Sequence, residues 1–287
     1  MITIGVLLFT NAITLFLLTD PFTTGIFGSR DNKTVAVVGN VEIDRQALRN
    51  TLEERYGEMV LRDLVDEEVV VQTAERLDLS VSESELEREM LFIKTKYGSY
   101  DQKYLSSKDE WESEVENKIL LEKILAKDVK IAEEDIKAYY EENKSQFEIP
   151  SAYHLSHIVV DKKKAAEKIH AELKDGASFI ALAVEQSTDT VTSTMEGDIG
   201  YITKKSSRYP KSYAKKAKDL EEGTFSKPFK VDDGYAIIYL HETIKADTFS
   251  YKEVKSMIER QLAVSQMSGA VTADYFWEDS GVEWKYQ

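Results

Sequence analysis

With 287 residues, 42% hydrophobic and 31% charged, and only 13 Gly and 4 Pro, the chain has the composition of a folded protein with more than one apolar core. A formal net charge of −15 excludes the positive field that non-specific nucleic-acid binding needs. The absence of cysteine excludes disulfides, thiolate metal sites, a cysteine nucleophile and a lipidated-cysteine anchor.

In chain order, Ile2 to Leu18 is a run of 17 uncharged residues, broken only by Thr3, Thr10, Asn11 and Thr14. That is the short end of a membrane span, and longer than most signal-peptide cores. Residues 1–19 read as an uncleaved signal anchor in preference to a cleaved signal peptide, with a buried core helix as the bland alternative. Residues 20–33, rich in Gly, Thr, Pro and Ser, read as a linker. Val35 to Ile43 predicts two short strands about Gly39-Asn40. Helical stripes follow: Val60, Leu61, Leu64, Val65, Val69, Ala74 and Leu77; then Leu86, Met90, Ile93 and Tyr97 behind a Ser82/Glu85 capping box; then Trp111, Val115 and Ile119 behind Ser107/Glu110; then Ile136, Tyr139 and Tyr140.

Pro150 marks a change of pattern. Tyr153 to Val160 predicts a strand, Ala165 to Leu173 a helix ended by Gly176, and Phe179 to Ala183 the start of another helix. A further helix is expected over Tyr209 to Leu220. Phe229 to Leu240 predicts a hairpin turning at Asp233-Gly234. Ser250 and Glu253 cap a last amphipathic helix, which must bury its apolar face on an earlier part of the chain.

No P-loop, dinucleotide glycine motif, GxSxG elbow or HExxH helix occurs. His154 and His157 are three apart on a strand, so alternation sends them to opposite faces and they do not make a metal pair. No metal site and no cofactor is expected.

Several pieces, correctly ordered over about ninety residues, carry a resemblance. Ser156-His157-Ile158-Val159-Val160, Gly176 to Ala183 with Ser187-Thr188-Asp189, Gly197-Asp198-Ile199-Gly200-Tyr201, Leu220 to Phe229 and Asp233-Gly234-Tyr235 resemble successive motifs of the parvulins. The flanks, Ile136 to Lys144 and Val38-Gly39-Asn40-Val41-Glu42-Ile43, are similar to exported foldases of the PrsA and SurA group, most of all to its YacD-type, membrane-anchored members.

The resemblance implies an α+β fold: a mostly helical, chaperone-like domain made of N-terminal helices (34–149) and a returning C-terminal helix (245–287), with a parvulin-like domain (150–244) inserted. It implies peptidyl-prolyl cis/trans isomerisation of unfolded, exported polypeptides, in the cell envelope of a Gram-positive bacterium, with a single-pass membrane tether. His157 matches the first-strand histidine of the family's active centre, and Asp189 the position held there by Cys or Asp. Ile199, Tyr209 and Tyr213 match the walls of the proline pocket, with Asp233 and Ala236 on the hairpin beside the substrate. Two departures count against full turnover: Ala236 replaces the usual second histidine, and Glu196 stands where a glycine is common. The alternative reading is a degenerate parvulin-domain holdase or scaffold. The sequence leaves the oligomeric state open, a dimer included.

Residues 150–220 hold 12 Lys/Arg against 9 Asp/Glu, in a chain that is otherwise acidic. Lys162-Lys163-Lys164 and the Lys204, Lys205, Arg208, Lys211 group read either as solvated faces or as a basic rim for acidic segments or anionic envelope polymers.

Overall fold

The computed structural model describes residues 34–96, 108–232, 234–267 and 272–286. The expected anchor (1–19) and linker (20–33) lie outside the described residues, as do Tyr97, Ser107 and Asp233. Among the described residues no helix is long and apolar enough to cross a membrane. Backbone contacts divide the chain into two units: one runs to Val65 and includes the last residues from Trp284, and the other is Asp66–Glu283.

In the first unit, β1 (Thr34–Val38) and β2 (Val41–Asp44) pair antiparallel about Gly39, whose φ of +61° suits a residue without a Cβ. Asp44 then caps α1 (Arg45–Arg76), its Oδ1 accepting the Ala47 N–H at 2.6 Å. Val37, Val38, Val41, Leu52 and Met59 are exposed. The expected stripe on α1 is divided: Val60 and Leu64 are exposed, whereas Val69 and Ala74 are buried. Periodicity identifies the apolar face of a helix but does not say what covers it.

The second unit combines helices with a sheet. Helices α2 (Glu83–Lys96), α3 (Lys108–Ala126) and α4 (Glu133–Glu142) come first. The Ser82/Glu85 capping box forms, with Glu85 N–H donating to Ser82 Oγ and Ser82 N–H to Glu85 Oε2. After the short β3 (Glu148–Ile149), β4 (Ala152–Val160) starts a four-stranded antiparallel sheet. It is joined by β5 (Asp198–Thr203), β6 (Phe229–Val231) and β7 (Gly234–Ile244), in the order β5-β4-β7-β6.

Alternation along β4 and β7 makes two cores. Leu155, Val159, Ala236, Ile238 and Leu240 pack with α8 (Ser212–Ala217) on one face. Ile158, Val160 and Ile237 pack with α5 (Lys163–Lys174) and α6 (Phe179–Gln186) on the other. Helix α8 is shorter than the expected Tyr209–Leu220. The Pro210 ring disfavours helical backbone at Tyr209, so the helix begins only at Ser212.

Beyond β8 (Asp247–Thr248), paired with β3, the last helix α9 (Tyr251–Ser265) opens on the expected Ser250/Glu253 capping box and lies against α3 and α4. Its Val254, Met257 and Ile258 share a cluster with Phe92, Ile136 and Phe147 of the helical layer and with Ala152, Tyr201 and Ile244 of the sheet. Arg260 of α9 is 5% exposed and bonds Glu122 at 2.6 Å and Glu89 at 3.3 Å. The charges remain paired inside, as burial demands.

Candidate active site

The parity of β4 puts His157 on the α8 face, between Leu155 and Val159. Its backbone N–H donates to Gly197 O at 2.8 Å, and its side chain is 2% exposed. Both ring nitrogens are engaged: Nδ1 lies 3.0 Å from Tyr213 Oη, and Nε2 lies 3.1 Å from Asp189 Oδ2 and 2.8 Å from Thr192 Oγ1.

The donors can be assigned from the partners. An ionised carboxylate only accepts, and the His157 hydrogen bond, helped by the Thr192 N–H, holds the Asp189 carboxyl well below the usual carboxylate range. Nε2 therefore carries a hydrogen, shared between Asp189 and Thr192. Burial pushes the Tyr213 phenol far up, so its O–H persists and, with the ring hydrogen on Nε2, donates to Nδ1. His157 is thus fixed in one tautomer and one orientation.

Asp189 is placed by the loop before it. Thr188 N–H and Thr188 Oγ1 donate to Val159 O at 2.7 and 3.0 Å, while Ser187 Oγ accepts the Val159 N–H at 3.2 Å. Asp189 then caps the short helix α7 (Thr190–Ser193), its Oδ1 accepting from Val191 and Thr192 N–H. One carboxylate thus caps α7 with Oδ1 and bonds His157 with Oδ2. The return to β5 needs Gly197: at φ +78° a Cβ would lie 2.7 Å from His157 O and 2.9 Å from Ala183 Cβ. Glu196 before it is also left-handed, at φ +60°.

The remaining expected residues are distributed unevenly. Tyr209 is half-buried, its ring edge-on to His157 with centroids 5.8 Å apart, and burial pushes its phenol up to about 12 against the opposing charge of Arg208. Tyr213, expected as a pocket wall, is 2% exposed and acts on His157 through its hydroxyl. Ile199 is the extra residue of a bulge, since Leu155 faces Gly200 and Ser156 faces Asp198, and at 3% exposed it belongs to the core. Ala236 pairs with Val159 and is fully buried in the same cluster as Tyr213. Asp233 lies outside the described residues.

Sequence reasoning missed Thr192. Its signal was Asp189 with Thr192 at the third position of a capped turn, which places both oxygens on one side. On the opposite face His154 pairs with Asp198 at 2.9 Å and His241 with Ser156 at 2.8 Å. Among the described residues no group of three or more His, Asp or Glu is placed to hold a metal ion.

Residues 131–256 match the family model described as the PPIC-type PPIase domain. A Bacillus subtilis (strain 168) protein named putative peptidyl-prolyl cis-trans isomerase YacD is 37% identical over 259 residues, which cover 90% of this chain and 87% of that one. The foldase protein PrsA of Geobacillus kaustophilus is 30% identical over 262 residues, 88% of this chain and 87% of its own. The crystal structure of PrsA from Bacillus subtilis aligns with 90% of this chain and 96% of its own, at 28% identity and a TM-score of 0.33.

Proposed function

Because the chain belongs to the PPIC-type, or parvulin, family of peptidyl-prolyl isomerases, we propose that it is an exported foldase that isomerises X-Pro bonds of unfolded polypeptides at the His157 centre. The observation that carries this reading is the buried imidazole held at both nitrogens beside the half-buried ring of Tyr209. Rotation about an amide meets a barrier of about 18–20 kcal/mol and needs no covalent intermediate. A proline ring stacked on Tyr209, with the amide beside polar groups that are already oriented, loses resonance without having to reorganise water. His157, Asp189, Thr192 and Tyr213 supply that fixed polar set, and Tyr209 the apolar wall.

In this reading residues 34–149 and 245–287 handle clients, and residues 150–244 are the parvulin domain. Ile2 to Leu18 tethers it to the outer face of the membrane through linker 20–33, and its clients are exported unfolded chains. The test is isomerisation of a short Ala-Ala-Pro-Phe peptide by the full chain in non-ionic detergent. His157→Ala and Asp189→Ala should each lower kcat/KM by about tenfold or more, within the range for polar groups that stabilise a transition state.

The second reading, a holdase without turnover, is favoured by fully buried Ala236, which offers His157 no side-chain hydrogen bond, and by the exposed Val37, Val38, Val41, Leu52 and Met59. Suppression of client aggregation by a chain with no measurable isomerase activity would select it.

A further inference from the structure

The sheet is irregular just before His157, and on both sides of β4. Between Leu155 and Ser156 the register against β5 skips Ile199, and between His154 and Leu155 the register against β7 skips His241. Two bulges therefore meet at Leu155, next but one to the imidazole. A bulge interrupts the ladder and lets a strand bend, so its geometry needs something besides ladder hydrogen bonds to fix it.

Side chains on the face turned away from His157 do the fixing. At the β5 bulge, Asp198 Oδ1 accepts the Gly200 N–H across Ile199 at 2.6 Å, and Oδ2 lies 2.9 Å from His154 Nε2. Burial opposes the ionised form, but His154 and the Gly200 N–H outweigh it and hold the Asp198 carboxyl below the usual carboxylate range. Nε2 of His154 is therefore the donor. At the β7 bulge His241 Nε2 meets Ser156 Oγ at 2.8 Å, and its ring lies 4.7 Å from that of His154. His154 also faces Tyr201 across one ladder and Glu242 across the other. The Tyr201 ring stacks on His154 at 4.8 Å, its hydroxyl donates to Glu242, and Lys94 of α2 bonds Glu242 at 3.3 Å. His154 is thus held by both neighbouring strands at once.

The Asp198 end of this cluster reaches the site through the main chain. Gly197, the residue before it, accepts the His157 N–H on its carbonyl and donates its own N–H to Thr192 O, both at 2.8 Å. Asp198 N–H donates to Met195 O at 2.9 Å. Thr192 Oγ1 in turn lies 2.8 Å from His157 Nε2. A swing of the Asp198 peptide therefore moves the backbone of His157 and one partner of its ring together.

We propose that His154 and Asp198 are positioning residues for the His157 centre: by locking the double bulge from behind, they set the direction in which the imidazole faces the client. For its effect on rate the proposal rests on reading that centre as an isomerase. Both side chains act from the far side of the sheet and do not touch the substrate, so their loss changes kcat more than KM.

The experiment uses the full chain in non-ionic detergent with Ala-Ala-Pro-Phe, and reads kcat, KM and the imidazole nitrogen shifts of His157. His154→Phe keeps a ring against Tyr201 and removes the donor to Asp198, whereas His154→Gln puts an amide N–H where Nε2 was. The Phe variant is expected to lose about fivefold in kcat with KM within about twofold, and to shift the His157 nitrogens; the Gln variant should restore both. Asp198→Ala breaks the pair from its other side and gives the same readouts where His154→Phe does not fold. The double variant should be no worse than the worse single, since the two residues act as one unit. Wild-type kcat and shifts in His154→Phe and Asp198→Ala overturn the proposal, as does a fall in kcat with unmoved His157 shifts, or a Gln variant no better than Phe. If the wild-type chain turns over no peptide, the isomerase reading fails and the shifts alone decide. Moved in Phe and restored in Gln, they show that His154 aims His157; unmoved, they refute it.

Discussion

Replacing Tyr213 by Phe deletes one oxygen from the centre of the proposed site. The ring keeps its neighbours, Phe229 at 5.4 Å and Tyr209 at 5.5 Å between centroids, so packing is left almost intact. What is lost is the donor to His157 Nδ1, in a place where both residues are 2% exposed and water has little access. A buried acceptor left unpaired costs about 1–3 kcal/mol, so we expect the variant to unfold in urea with about 1–2 kcal/mol less stability. The ring of His157 then loses the partner that sets its tautomer and tilt. Since about 1.4 kcal/mol corresponds to a tenfold rate change, kcat/KM is expected to fall about tenfold. Exchange NMR on Ala-Ala-Pro-Phe reads the rate, and the imidazole nitrogen shifts of His157 read the tautomer, which in the wild type carries its hydrogen on Nε2. Turnover within about twofold of wild type, with unchanged imidazole shifts, would show that Tyr213 packs against His157 without orienting it.

Three further outcomes follow from the same geometry. Arg260→Met should destabilise the protein by about 3–5 kcal/mol in urea, because it removes the buried cation shared by buried Glu89 and half-buried Glu122; a loss below about 1 kcal/mol would mean that Lys118 suffices for both carboxylates. Gly197→Ala should cost about 2 kcal/mol or more and lower isomerase activity too, since the new methyl meets the His157 carbonyl and a left-handed alanine is strained. A neutral effect would place Gly197 elsewhere. For Asp189 the folded pKa is lower than the unfolded one, so its contribution to stability is complete above the ordinary carboxylate pKa of about 4 and drains as pH falls toward the folded value. The stability gap between wild type and Asp189→Asn should therefore be flat from neutral pH down to about 5 and shrink below about 4; a gap that holds through the acid range refutes the ionised, hydrogen-bonded Asp189.

Much of the architecture was legible from local pattern, because caps and alternation are local physics. Ser82/Glu85 and Ser250/Glu253 close their capping boxes, the Phe229–Leu240 hairpin forms, and α9 finds the earlier helices as an unpaired amphipathic face must. The sequence by itself also put His157 and Asp189 in the candidate centre through ordered motifs, and strand parity alone separated His154 from it. Tertiary structure decided the rest. Whether Val60 and Leu64 of α1 would be covered depends on neighbours that no helical period encodes. Ile199 packs in the core at a bulge, a property of two strands in register that no single segment encodes. Tyr213 bonds His157 through its hydroxyl, and Thr192 joined the centre, because three separate segments converge on one imidazole. A sequence records each of those hydroxyls, but a hydrogen bond depends on distance and direction, which exist only once β4, α7 and α8 have packed.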